Sequence, residues 1–425
     1  MTSEMVFLLV VLLALLLSSA PVAVALGLTS FAYFWWFSTI PMTQVPETLF
    51  NALNTFPLMA IPFFVLAANI MAQGGISSRL IAAGNALVGG VRGGLAMTAV
   101  LACMFFAAIS GSSPATVVAV GTLLIPAMIA KGYSTRFTVG LIATSGSLGI
   151  LIPPSIPLIV YGIATEQAIG DLFIAGVLPG LVAGTMLLIT VAVLSWVRRF
   201  GADGGGMTLG QKLRAIATAG LALLLPVFVL GGIYGGTFTP TEAAAAAVAY
   251  ALLVSMFIYR EMTIRQLGKI LLTSARTSAM VMFIIANGIL FTFVLTSERI
   301  PGQIAEALVS ADLNAVTFLL IVNVILLMAG AFMETSSAIL ILAPIMLPVA
   351  VDLGVHPIHL GIIMIMNLEI GMITPPLGLN LFVASGMSKM GVLEVARAAL
   401  PTGLVLLAAL AIVTYVPVLS LALLN

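Results

Sequence analysis

Two of the longest apolar runs in this chain are each cut by adjacent prolines, in "GILIPPSIPL" at 149–158 and "GMITPPLGLN" at 371–380. A proline pair removes two backbone donors and bars helical geometry just before it, so neither run can be one unbroken helix. Yet both runs are far too apolar to lie in water. Hydrophobic residues make up 62% of the 425 and charged residues only 7%, against ~25% charged in soluble domains. The chain reads as an all-α polytopic membrane protein. Fifteen basic against 14 acidic residues leave a net charge of +1, which gives no footprint for nucleic acid. Cys103 is the single cysteine and forms no internal disulfide; in its apolar stretch it reads as packing. The opening "MVFLLVVLLALLL" lacks the basic leader of a secretory signal and reads as a retained membrane helix.

A crossing helix needs ~20 apolar residues. On that measure the sequence predicts crossings at 4–20, 21–40, 48–73, 134–163, 172–197, 217–234, 241–259, 275–296, 360–385 and 401–423. Two stretches, 94–130 and 314–351, are too long for one span, and polar clusters interrupt them, "SGSSPAT" at 110–116 and "METSSA" at 333–338. Each reads as a re-entrant helical hairpin with arms of about 15 residues, short of a full span. With the N-terminus outside, every Lys and Arg except Arg299 falls on the inner side, as the positive-inside bias requires. Segments 77–94 and 262–277 mix spaced apolar and basic residues, as interfacial helices do. The Gly-rich 198–212 is a linker dividing two halves, and Thr239, Pro240 and Glu242 mark a helix start.

The halves repeat. An offset of 222 superposes Pro126 on Pro348, Gly132 on Gly354, Gly149 on Gly371, and Pro153 and Pro154 on Pro375 and Pro376. The same offset lays Ser112 and Ser113 on Glu334 and Thr335 at the hairpin tips. Five crossings separate the hairpins, an odd number, so the repeats are inverted and the hairpins open to opposite sides. Interrupted helices at matching places in both halves point to a secondary transporter with its site at the bilayer midplane.

Carbonyls before a proline pair lose their helical partners and attract cations, while the half-helix beyond presents unpaired N–H groups to an anion. Hydroxyl and amide oxygens nearby suit a weakly bound hard cation such as sodium. They belong to Ser110, Ser112, Ser113 and Ser147 in the first half and to Thr335, Asn367, Thr374 and Asn380 in the second. The candidate sodium set is Ser110, Gly111, Ser112, Ser113, Gly149, Pro153, Met333, Glu334, Thr335, Gly371, Thr374 and Pro375. The candidate substrate set is Ser147, Pro154, Ser155, Ser336, Gly378 and Asn380. Glu334 reads as a cation ligand, a water-facing gate or a protonated acid; Glu369 reads as structural or protonated. His356 and His359 have no evident third ligand for a metal and are expected on an external loop. No nucleophile, base and orienter converge, so an enzyme is not expected, and no cofactor is expected beyond Na+ as coupling ion.

With "ISGSSPATVVAVG", "GILIPPSIPLIVYG", "METSSAILILAPI" and "GMITPPLGLNLF" in view, the chain resembles, over nearly its whole length, the large membrane (M) subunit of tripartite ATP-independent periplasmic (TRAP) transporters. The resemblance implies sodium-driven uptake of an organic acid such as a C4-dicarboxylate or sialic acid. It implies an elevator motion of a transport domain against a scaffold in the bacterial inner membrane. It also implies two partners, a small four-helix membrane subunit (Q type) and a soluble periplasmic substrate-binding protein (P type). On that basis 94–163 and 314–389 form the transport halves, and 1–93, 164–313 and 390–425 the scaffold. The tips differ from the Ser-Asn-Thr of related sodium-dicarboxylate carriers. A self-sufficient sodium- or proton-coupled carrier is the alternative, and a channel or scaffold a third.

Overall fold

The computed structural model describes residues 3–18, 20–38, 40–197, 208–300, 302–303 and 314–424, and no strand forms among them. Helices α1 (Ser3–Leu17) and α2 (Val22–Trp36) are 15 residues each, separated where Pro21 bars continuation. The crossing expected at 48–73 is divided. Helix α3 (Gln44–Leu53) ends at Asn54, and α4 (Ala60–Gln73) begins after a 3-10 turn whose first residues are Phe56 and Pro57. Thr55 is extended, which ends helical geometry there, and Pro57 falls in the first turn of the 3-10 segment, where no N–H is needed.

Helix α5 (Ile76–Val88) leads into the first hairpin, α6 (Gly94–Ser110) and α7 (Ser113–Ala130). The broken helix follows as α8 (Thr135–Gly146) and α9 (Ile156–Ala164), then α10 (Ile169–Val197). Helices α11 (Leu209–Tyr234), α12 (Pro240–Leu252, continued by a π-helical turn to Ile258) and α13 (Ile264–Ser297) each start with a capping box. The boxes pair Thr208 with Gln211, Thr239 with Glu242 and Thr263 with Gln266, each satisfying two orphan N–H groups. The second hairpin is α14 (Ala315–Phe332) and α15 (Thr335–Asp352), its broken helix α16 (Pro357–Gly371) and α17 (Leu379–Ser388), followed by α18 (Val392–Tyr415) and α19 (Val418–Leu421).

Two differences from the sequence reading have physical causes. The interfacial segment at 262–277 and the crossing at 275–296 are one continuous 34-residue helix, α13, because no proline or glycine pair interrupts it. The hairpin arms are 17 or 18 residues long, not about 15, because Ser113 and Thr335 open helices instead of lying in loops. Proline at the second position of α7 fits a first turn, where no N–H is needed. Nine helical segments among the described residues, three of the arms included, are long and apolar enough to cross a membrane. Of the linker, 198–207 lies outside the described residues, and 208–212 already belongs to the start of α11.

The helices sort into two packing groups, which meet where α5 packs on α6 and α13 on α15. One joins α4 to α12, α5 to α11, and α13 to α2, α3 and α4. The other interleaves the two halves: α17 packs on α7 and α9 on α15, so the second segment of each broken helix lies against the opposite hairpin. Likewise α18 packs on α8 and α10 on α16. In the first group Arg79 of α5 pairs with Glu261 at 2.7 Å and stacks over Tyr259 at 3.7 Å. This pair is partly exposed, so Glu261→Ala is expected to cost about 1 kcal/mol or less. A thermal melt in detergent checks this; loss of the folded species would contradict it.

Candidate functional site

Each break lies against its own hairpin tip. After α8 the chain makes a 3-10 turn over Ser147–Ile150, leaves helical geometry through Pro153 and Pro154, and restarts at Ser155, whose hydroxyl accepts from Leu158 N–H at 3.4 Å. After α16 it loosens through Pro375 and Pro376 and restarts at Gly378, whose φ of 36° is a left-handed conformation that favours glycine. Both Pro-Pro bonds are cis.

Ile156 N–H donates to Gly111 O at 3.3 Å in the first half, and Leu377 N–H to Ala331 O at 3.1 Å in the second. These bonds tie tip to break at corresponding places. The contact is close because glycines make it so. A Cβ on Gly149 would lie 2.6 Å from Thr116 Oγ1 and 2.9 Å from Ser112 O. A Cβ on Gly371 would lie 2.4 Å from Gly330 C and Cα.

At the first tip, buried Ser110 Oγ is 2.9 Å from Thr116 Oγ1 and 3.2 Å from Ser112 O, and Thr116 Oγ1 donates to Ser112 O at 2.9 Å. Gly111 carries the turn at φ 58°. Thr116 is absent from the sequence-derived set; its signal is the i+4 spacing from Ser112 in the first turn of α7, which lets its hydroxyl bond back to that carbonyl. At the second tip Met333 is extended and half-buried, and Glu334 caps α15, accepting from Ser337 N–H at 3.1 Å and from Ser336 Oγ at 2.9 Å. The buried Thr335 hydroxyl reaches Met372 Sδ at 3.1 Å.

The two halves meet at Asn380. Its buried amide nitrogen donates toward Ser113 Oγ, Ser147 Oγ at 3.2 Å and Glu369 Oε1 at 3.1 Å. On the same helix as Glu369, Asn367 donates to Asn323 Oδ1 of α14 at 2.7 Å. The breaks themselves are unequal: Pro153, Pro154 and Ser155 are buried, whereas Thr374, Pro375 and Pro376 are exposed. Thr374 Oγ1 turns back to Ile370 O at 2.9 Å and does not join the cluster around Asn380.

The histidines part company with the loop expectation. His356 caps α16 from the surface, but His359 is buried on the first turn of that helix, hydrogen-bonded to Ser420 Oγ at 3.1 Å and Thr414 O at 3.2 Å. Pro357 starts the helix here instead of prolonging a loop. No cluster of three metal-ligating side chains of His, Cys, Asp or Glu occurs among the described residues. A cavity of about 340 Å³ opens between α8, α10 and α18, lined by Arg136, Phe137, Leu194, Arg397 and Thr402 among others. No residue of either break lines it, so it is a seam between helices and not part of this site.

A many-span helical bundle in which two interrupted helices face two hairpins defines a membrane transporter. The chain belongs to the tripartite ATP-independent periplasmic transporter family as its DctM component, whose family model matches residues 9–419. It is similar to the C4-dicarboxylate TRAP transporter large permease protein DctM of Pseudomonas aeruginosa, 50% identical over 94% of each chain. The protein of that name from Rhodobacter capsulatus is 46% identical over 97% of each. The sialic acid TRAP transporter large permease protein SiaM of Vibrio cholerae is 33% identical, over 97% of this chain and 96% of its own. Among solved structures, the Alcanivorax borkumensis YdaH transporter superposes with a TM-score of 0.63 at 16% identity, covering 92% of this chain and 96% of its own. That likeness speaks to the fold alone. The chain is therefore a multi-pass inner-membrane permease component and not an enzyme.

Proposed function

We propose that this chain is the substrate-translocating subunit of a sodium-coupled importer of an organic acid, a C4-dicarboxylate before other carboxylates. The substrate class rests on the relatives. Those named for C4-dicarboxylates are 46–50% identical, those named for 2,3-diketo-L-gulonate and sialic acid 36% and 33%. A soluble periplasmic binding protein delivers the acid, and a small four-helix membrane subunit completes the membrane part. A relative named DctMQ, of which this chain covers 63%, favours that pairing.

The observation that carries the reading is the meeting of both breaks and both tips. Tip one touches residues 149–156, midway along a helix pair that runs from 135 to 164, and tip two touches 371–377, midway between 357 and 388. If those pairs cross the bilayer, both tips sit at mid-depth and the hairpins re-enter, whatever the length of their arms. The oxygens of Ser110, Ser112 and Thr116 over Gly149 fit a sodium ion held by neutral ligands. The start of α9 offers the carboxylate a helix N-terminus.

Motion follows the packing groups. Glycines 176 and 180 of α10 seat Leu151 and Ile152 of the first break, and Gly140 of α8 rides on the Ala398 backbone of α18. Helices α10 and α18 therefore travel with the hairpins and broken helices, while α1–α5 and α11–α13 form the frame. This enlarges the moving unit beyond 94–163 and 314–389.

The test is reconstitution in vesicles. With both partners and an inward sodium gradient, labelled dicarboxylate is expected to accumulate; choline in place of sodium, or omission of the binding protein, is expected to abolish accumulation. Equal uptake by the isolated chain would instead support a self-sufficient carrier.

A further inference from the structure

We infer that Glu369, Asn380, Ser113 and Ser147 form a monovalent cation site spanning both repeats, in which the Asn380 amide nitrogen stands in for the ion when the site is empty. This rests on the sodium reading above and adds a ligand set to it.

The donor arithmetic points there first. An amide NH2 has two hydrogens, yet Asn380 Nδ2 faces three oxygens, from Ser113, Ser147 and Glu369. One positive centre, the NH2, thus sits amid oxygens drawn from α7, the turn after α8, and α16. A cation needs that arrangement. Two oxygens of the same cluster are left over: Glu369 Oε2 and Asn380 Oδ1 are buried with no hydrogen-bond partner. Each such atom is destabilising while nothing meets it.

Charge points the same way. Glu369 is 1% exposed, and a buried carboxylate must be paired, hydrated or neutralised. The described ion pairs, Arg79 with Glu261 and Arg136 with Glu394, leave it without a basic partner. When an ion takes the place of that NH2, the Ser113 and Ser147 hydroxyls and Glu369 Oε1 face it as an oxygen-only set for a hard cation. The displaced Asn380 side chain brings its Oδ1, which has no other partner, to the ion as a fourth oxygen. Exchange of the amide nitrogen for the ion couples occupancy to contact between the repeats, since Ser113 belongs to the first hairpin and Asn380 to the second broken helix.

The experiment is equilibrium binding of radiolabelled sodium to the purified chain in nanodiscs, with choline replacing sodium to keep ionic strength constant, and a thermal melt at each concentration. The expected wild-type result is saturable binding with sodium-dependent stabilisation. Glu369→Gln, which keeps shape and removes the charge, is expected to bind one sodium fewer, or to raise the half-saturating concentration at least about tenfold, as loss of one charge-assisted contact requires. Asn380→Asp keeps an oxygen and is expected to become more dependent on sodium for stability than wild type. Wild-type stoichiometry and half-saturation in Glu369→Gln would overturn the inference while leaving sodium coupling standing. Should that variant not fold, an unchanged sodium response in Asn380→Asp overturns it. Absence of sodium binding to the wild type overturns both the inference and the sodium reading.

Discussion

Gly371→Ala is expected to lower substrate uptake at least about 100-fold in vesicles containing the complete transporter, while leaving membrane insertion unchanged. The added carbon would stand 2.4 Å from Gly330 C and Cα and 2.9 Å from Ala331 N. These neighbours are backbone, not the far end of a flexible side chain, so a helix must move. Overpacking of this kind costs about 1–3 kcal/mol where side chains can yield, and more where they cannot. The second hairpin tip would lift from its break, stretching the bond from Leu377 N–H to Ala331 O and separating Thr335 from Met372. A factor of 100 corresponds to about 2.7 kcal/mol, within reach of that displacement. Gly386→Ala is the control. It lies in α17, and a Cβ there has open space within 4 Å, so uptake is expected to stay at the wild-type level. Wild-type uptake in Gly371→Ala would show that tip and break need not touch.

The sequence makes the breaks and tips legible because proline and glycine act locally. Pro153 and Pro154 interrupt a helix whatever packs around them, and the 222-residue offset lays one break on the other. The capping box at Thr239 and Glu242 is legible for the same reason. Properties set by distant partners are not. Nothing near Glu369 in the chain announces that Ser113 and Ser147 join Asn380 around it, because these groups meet only once the second half packs on the first, α17 against α7. His359 resembles a loop residue beside Pro357 until Thr414 and Ser420 supply its partners from the far end of the chain. Gly330 has the same history: one glycine among many in an apolar helix, it matters because Gly371 lies against it. The length of α13 is a different case. Its charged first half fits an interfacial helix and its apolar second half a crossing, and composition alone marks no joint between them.

A pair of disulfides with opposite expected effects tests the division into moving unit and frame. Both are made in a chain whose one cysteine, the buried Cys103, is replaced by Ala. Thr144 of α8 and Thr402 of α18 already touch, their hydroxyl oxygens 2.9 Å apart. Both helices belong to the moving unit, so oxidising Thr144→Cys with Thr402→Cys is expected to leave uptake near that of the reduced form. Gly288 of α13 and Leu340 of α15 face each other across the boundary; a Cβ on Gly288 would lie 2.8 Å from Leu340 Cβ. A disulfide needs ~3.5–4.5 Å between those carbons, so a separation of about 1 Å admits the bond. Oxidising Gly288→Cys with Leu340→Cys fixes the second hairpin to the frame and is expected to abolish uptake, with reduction restoring it. Uptake that survives both bonds would exclude sliding at this boundary. Uptake lost with the first bond and kept with the second would place α18 in the frame and α13 with the hairpins, reversing the assignment.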